Sequence, residues 1–195
     1  MKRLIFCILT TASIATFLGC GGGKEMAKLS NTPEWFNNVP TDPNSLFGAA
    51  TASSVDLQTA IDKAKQDARA DLAAQTEARV QGLIRNFREE TGLAESFEML
   101  AEFSSATQTV FSNVLVGSKV KNQKTMREGT TYRAFLLMEL PIGEANVQLL
   151  SKIKSNQAMY TRFRSTEAFK KMEDEIAKYE AFKKQQEMGG EKQQQ

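Results

Sequence analysis

Leu57, Ile61, Ala64, Ala68 and Leu72 recur at steps of four, three, four and four residues, with Lys63, Asp67, Arg69 and Asp71 set between them. That spacing keeps one side of an α-helix apolar and the other solvated. Val80, Leu83, Ile84 and Phe87 prolong the stripe, so the pattern predicts one helix of about eight turns. It starts at Ser53 or Ser54, whose hydroxyl can accept from an unpaired first-turn amide. It stops at Gly92, which tolerates a left-handed cap. Ala60, Ala64 and Ala68 carry little bulk on one side, which predicts a close approach between this helix and a sheet.

The sheet is written in alternation. Thr130 to Leu140 places Tyr132, Ala134, Leu136, Met138 and Leu140 on one face, and Pro141 ends the run. Glu128-Gly129 marks a turn, which makes this strand the second arm of a hairpin whose first arm runs from Leu115 to Met126. Leu46 to Ala52 is a short strand of small residues. Between the long helix and the hairpin, Phe97, Leu100, Ala101, Ser104 and Gln108 predict a second helix ending near residue 112. Helical spacing returns at Glu144, first through Val147, Leu150, Ile153, Tyr160 and Phe163, then through Phe169, Met172, Ile176 and Tyr179. Residues 183 to 195, KKQQEMGGEKQQQ, offer no packing face and are expected to be disordered. The fold class is therefore α+β: a small antiparallel sheet, made of a short N-terminal strand plus a hairpin, packed against a long helix, with an additional C-terminal helix.

The first residues follow another logic. Lys2 and Arg3 precede an apolar run of 15 residues from Leu4 to Leu18. A membrane-crossing helix needs about 20 residues, so the run suits a cleaved secretory signal better than a retained anchor. It closes on Phe17-Leu18-Gly19-Cys20, which resembles the lipobox of bacterial lipoproteins, where cleavage falls just before a cysteine that then carries lipid. Gly19 and Cys20 fit that pattern, whereas Phe17 and Leu18 stand where leucine and a small residue are usual. Ordinary secretion with a free thiol is the alternative. Gly21 after the cysteine, where aspartate is the familiar inner-membrane retention signal, points by the same resemblance to the outer membrane. From there to residue 45 the chain holds three of its four prolines, Pro33, Pro40 and Pro43, and reads as a tether. Its one apolar island, Trp35-Phe36, either docks on the domain or presents an aromatic pair to a partner.

Composition narrows the chemistry. The chain has 195 residues, 41% of them apolar, enough for one modest core. Loss of Lys2 and Arg3 with the signal brings the 25 basic and 23 acidic residues into balance, and nucleic acid calls for a basic field instead. Histidine is absent, which removes the commonest general base and the commonest metal ligand. Removal of Cys7 and alkylation of Cys20 would leave no disulfide. No residue set converges on a metal, a cofactor or a nucleophile; an enzyme is not expected, and no catalytic residue, metal ligand or cofactor is assigned.

Pro33-Glu34-Trp35-Phe36, the strand Phe47-Gly48-Ala49-Ala50 and the helix Ala60…Ala64…Ala68-Arg69-Ala70-Asp71-Leu72-Ala73, followed by a hairpin, together resemble the LPP-twenty family of outer-membrane lipoproteins over roughly residues 33 to 141. The family includes a flagellar lipoprotein. The resemblance implies a compact α+β unit with helices on one side of a small sheet, and lipidation at Cys20 as its one functional residue. It divides the chain into a signal peptide (1–19), a lipidated N-terminus and tether (20–45), an LPP-twenty-like domain (46–142), a helical extension (143–188) and a disordered tail (189–195).

The expectation is a non-enzymatic outer-membrane lipoprotein, palmitoylated at Cys20, whose α+β domain serves envelope or flagellum-associated assembly. The alternative is a lipoprotein that binds a small ligand or cell-wall polymer. The partners expected are the membrane, through the lipid, and either a protein or a second copy. Candidate interaction residues are Trp35 and Phe36, and the C-terminal stripe Phe169, Met172, Ile176 and Tyr179. That stripe either packs back on its own domain or pairs with another subunit.

Overall fold

The computed structural model describes residues 31–92 and 97–191, with side chains to residue 185. The chain clusters into two units, Met1–Thr32 and Pro33–Gln195. Cys20 and nearly all of the first unit lie outside the described residues. In the second unit the elements run α1 (Glu34–Asn37), β1 (Ser45–Ser54), α2 (Leu57–Thr91), α3 (Phe97–Val116), β2 (Lys119–Glu128), β3 (Thr131–Pro141), α4 (Ile142–Lys154), α5 (Gln157–Phe163) and α6 (Glu167–Glu191).

The three strands form an antiparallel sheet of order β1-β3-β2. β3 sits in the centre, paired with β1 from Ser45↔Pro141 to Ser54↔Tyr132 and with β2 from Lys119↔Glu139 to Glu128↔Thr131. Gly129, at φ 64°, makes the hairpin turn in a conformation that suits glycine. A bulge falls between Val120 and Asn122. The fold is the α+β arrangement that the alternation and the long stripe predict.

α2 lies along β1 and β3. Ala60 and Ala64 pack on Ala134 and Leu136, and Ala68 and Leu72 pack on Met138 and Leu140. All eight side chains are fully buried. The approach is as tight as the alanines imply. A Cβ built on Gly48 would stand 2.4 Å from the Ala68 carbonyl oxygen. The opposite face of the sheet is covered too, since Phe36 of α1 meets Phe135 edge-on with ring centroids 5.1 Å apart. Ala134 to Met138 are therefore buried without a break, and the strict alternation seen in the sequence is not reproduced in burial.

Beyond Leu72 the helix leaves the sheet and enters a second core made of helices alone. Val80 and Phe87 join Phe103 and Phe111 of α3, Leu149 and Ile153 of α4, and residues of α5 and α6. Phe87 and Phe103 stack at 4.0 Å between centroids. Each fully buried side chain of this size contributes about 1.5–3 kcal/mol.

Several expectations on boundaries are corrected. The N-cap of α2 is Asp56, not Ser53 or Ser54: its carboxylate accepts from the Thr59 amide at 2.7 Å and the Thr59 hydroxyl at 2.8 Å. β1 extends to Ser54, whose hydroxyl accepts from the Asp56 amide. α3 runs to Val116 rather than to residue 112, and β2 begins at Lys119 rather than Leu115. Within α3, Thr107 and Thr109 turn their hydroxyls onto the carbonyls of Phe103 and Ser105, at 2.8 and 2.7 Å. That bond fits threonine into a helix, and Val110 and Phe111 gain burial there.

The single C-terminal helix is instead three. Asn156 caps α5 by accepting from the Met159 amide, and the Thr166 hydroxyl accepts from the Phe169 amide at the start of α6. Short polar side chains of this kind stop one helix and start the next. Finally, α6 continues to Glu191 through a segment expected to be disordered. A helix already nucleated by packing extends at little cost through Lys183 to Glu187, which are good helix formers.

Two measurements test this account. Gly48→Ala and Ala68→Leu should each destabilise by about 1–3 kcal/mol in chemical denaturation, as overpacking does, whereas Asp67→Ala, on the exposed side of α2, should leave the midpoint unchanged. The Thr59 amide, then its hydroxyl, hold the Asp56 carboxyl below its ordinary value. A depressed folded-state pKa adds stability above the unfolded value, and that stability fades as pH falls through the folded one. Asp56→Asn should retain the cap and lose this acid-limb dependence in thermal melts between neutral and strongly acidic pH.

Candidate functional site

The sequence candidates separate once the chain is folded. Trp35 and Phe36 are half-buried, and their rings meet edge-on with centroids 6.3 Å apart. Pro33 beside them is buried. The island thus docks on the sheet through Phe36 and Phe135. On α6, Phe169 and Met172 are buried in the helical core, whereas Ile176 and Tyr179 are half-buried. A Cβ on Gly143 of α4 would lie 2.4 Å from the Tyr179 ring, so glycine at that position lets α6 lie against α4. The stripe packs on its own chain as far as Tyr179. Phe182, one step further on the same face, is 45% exposed.

Three residues not singled out by pattern lie at the junction of α2, α4 and α6. Arg79 of α2 ion-pairs through Nη2 with Glu175 Oε2 of α6. Asn146 of α4 donates from Nδ2 to the same carboxylate oxygen at 2.7 Å, and its Oδ1 accepts from Arg79 Nη2 at 3.4 Å. Asn146 is fully buried and Glu175 is 8% exposed. The guanidinium carbon also sits 5.9 Å from the centre of the Phe111 ring, within cation–π range. Arg79 Nε is buried without a partner. A signal existed: Arg79 falls on the apolar face between Thr76 and Leu83, and Glu175 interrupts the α6 stripe between Met172 and Tyr179. A charge on an apolar stripe marks a buried pair, but sequence alone does not pair two charges 96 positions apart.

Open grooves flank this junction. One of about 270 Å³ lies between α2 and α6, lined by Arg79, Leu83, Asn86, Lys171, Met172 and Glu175. Two others, of about 390 and 430 Å³, run between α2 and α3, where Ala73 and Leu115 contribute to both. Phe111 is the one aromatic residue lining any of these three. Among the described residues no group of three or more Asp, Glu, Cys or His could hold a metal ion. No described helix is long and apolar enough to cross a membrane.

The Arg79–Asn146–Glu175 arrangement is a structural lock. Arg79 is half-buried and borders an open groove, so a guanidinium left without its carboxylate stays partly hydrated and the cost falls to about 1–3 kcal/mol. Glu175→Leu should therefore destabilise by about that amount, and adding Arg79→Met should recover most of the loss. Urea titration of the two singles and the double forms the cycle that checks it. Additive losses would show that the two residues do not act as a pair.

A family model described as LPP20 lipoprotein matches residues 33–139, from the residue before α1 to two residues short of the end of β3. No curated protein matches the chain.

Proposed function

The chain belongs to the LPP20 lipoprotein family, and from that premise we propose that it is an outer-membrane lipoprotein, anchored by lipid on Cys20, whose α+β domain works by binding other envelope proteins rather than by catalysis. The family match carries the lipoprotein reading. It agrees with the basic-apolar leader and with Gly19-Cys20 at its end, which lie outside the described residues. One myristoyl-length chain binds a membrane only marginally, and two or more hold it stably. Acylation at both the thiol and the new amino terminus would supply such an anchor.

The grooves support a binding role over a small-ligand site. They are open, and alanines, aliphatic side chains and charged rims line them, with the single ring of Phe111. Sugar polymers are commonly held against aromatic faces, and apolar ligands need deeper enclosure. Envelope or flagellum-associated assembly is the class of work this fits. The tether of 12 residues from Gly21 to Thr32 gives the domain a reach of about 40 Å from the membrane when extended.

Metabolic labelling with a clickable palmitate analogue tests the anchor. The wild-type chain should incorporate label and sediment with outer-membrane fractions, while Cys20→Ala should lose both label and sedimentation. Label retained by Cys20→Ala would refute lipidation at this residue.

A further inference from the structure

The face of the sheet turned away from α2 is apolar at its centre. Phe47 of β1 and Phe135 and Leu137 of β3 point that way, since their neighbours Gly48, Leu136 and Met138 meet α2. All three are buried. Lys121 lies over the Phe47 ring at 4.6 Å, and Phe36 of α1 lies against Phe135. The cover over Phe135 is therefore the segment that leads from the tether into β1.

That segment is tied down at one end. The Asn44 carbonyl accepts from the Ile142 amide at 2.8 Å and the Gly143 amide at 3.2 Å. Between Pro33 and Thr41 the amide bonds close locally, with Phe36 and Asn37 donating to the Pro33 carbonyl and Asn38 to that of Glu34. α1 is a single turn of four residues with no side-chain cap, and none of its residues is fully buried. One turn does not hold itself together in water. The hold on the sheet is left to the half-buried pair Trp35-Phe36 and the buried Pro33.

The cover also carries a penalty. Thr51 stands in register with Phe135, on the face that Phe36 occupies. Its Oγ1 is buried without a hydrogen-bond partner, and a hydroxyl in that condition has lost its water with no bond to replace it. Asn44 Oδ1, at the tied end, is buried in the same state. Unpaired buried groups call for an explanation. One of these lies at the end of the segment and the other beside its ring contact, where lifting the segment would admit water.

We propose that residues 33–43 are a releasable strap, exchanging between a docked state on the outer face of the sheet and a free state in which the rest of the fold is intact. Regions held by few buried apolar contacts open without global unfolding. Docking buries two aromatic side chains in part and strands the Thr51 hydroxyl; release reverses both, so the two effects oppose each other. The consequence is length. With the strap docked, 12 residues from Gly21 to Thr32 are free, whereas with it released the free chain runs 24 residues to the tie at Asn44, and the reach rises from about 40 Å to about 80 Å. That gain rests on the reading of Cys20 as the anchor, while the release itself does not.

Trp35 is the only tryptophan of the chain, so its fluorescence reads the strap directly. In the full chain in detergent, urea should open Trp35 to acrylamide quenching before the helical circular dichroism is lost. Coincident transitions would overturn the proposal, because the strap would then open only with the fold. Thr51→Val keeps the shape and removes the stranded hydroxyl, so it should narrow the gap between the two transitions; an unchanged gap would also overturn it. Phe36→Ala should raise Trp35 quenching and speed amide exchange at Asn37 and Asn38 without urea, leaving the dichroism midpoint in place. A lowered midpoint with Trp35 still shielded would show that Phe36 belongs to the fold and not to a strap. For the reach, a donor dye on Asp67→Cys, on the exposed side of α2, is paired with an acceptor in the headgroups of vesicles carrying the lipidated chain. Adding Phe36→Ala should weaken energy transfer, and equal transfer would refute the gain in length. The fluorescence and exchange arms do not involve Cys20, so their failure is distinct from failure of the lipoprotein reading.

Discussion

A methyl group cannot be placed on Gly48 without meeting the backbone of α2 at Ala68, and the layers of this protein are set by that contact. Side chains of a helix and of the sheet beneath it normally interdigitate and hold the two backbones apart. Here Ala60, Ala64 and Ala68 on the helix, with Gly48, Ala50 and Ala134 on the strands, remove the spacer. The apolar contact runs as far as Leu72, and Gln75 carries it one turn further by donating from Nε2 to the Phe47 carbonyl at 2.9 Å. The large aromatic side chains of α2 and α3 lie beyond it, in the second core.

That second core explains why the chain does not stop where the family match does. The match ends at residue 139, yet the distal half of α2 and all of α3 belong to it and carry Phe87, Phe103 and Phe111. These rings are buried by Leu149, Ile153, Met159, Phe163 and Phe169, all from α4, α5 and α6. The C-terminal helices thus complete a core that the matched region begins. Arg79, Asn146 and Glu175 tie α2, α4 and α6 together with polar bonds. Burying such charges contributes little net stability, but breaking one is costly.

The sheet uses its faces unequally. Its inner face is sealed by α2 along β1 and β3, and its outer face receives Phe36 of α1 against Phe135.

The elements with strong periodicity were legible because local physics decides them. Steps of three and four over residues 57 to 87 leave helix as the one structure that gathers the apolar positions, and Gly92 closes it with a positive φ as expected. Alternation through Tyr132 to Leu140 likewise specified a strand, and the alanine spacing specified which helix would press on it. Where local preference and tertiary gain competed, the sequence was ambiguous. Leu115 and Val116 read as the start of β2, yet α3 holds both, with Leu115 packed beside Met138, and the strand begins only at Lys119. Asp56 outcompeted Ser53 and Ser54 as the cap because β1 ran on and claimed both serines. The pairing of Arg79 with Glu175 and the cover over Phe135 were decided by tertiary structure alone. Each depends on which distant elements become neighbours, and periodicity within one segment carries no record of that.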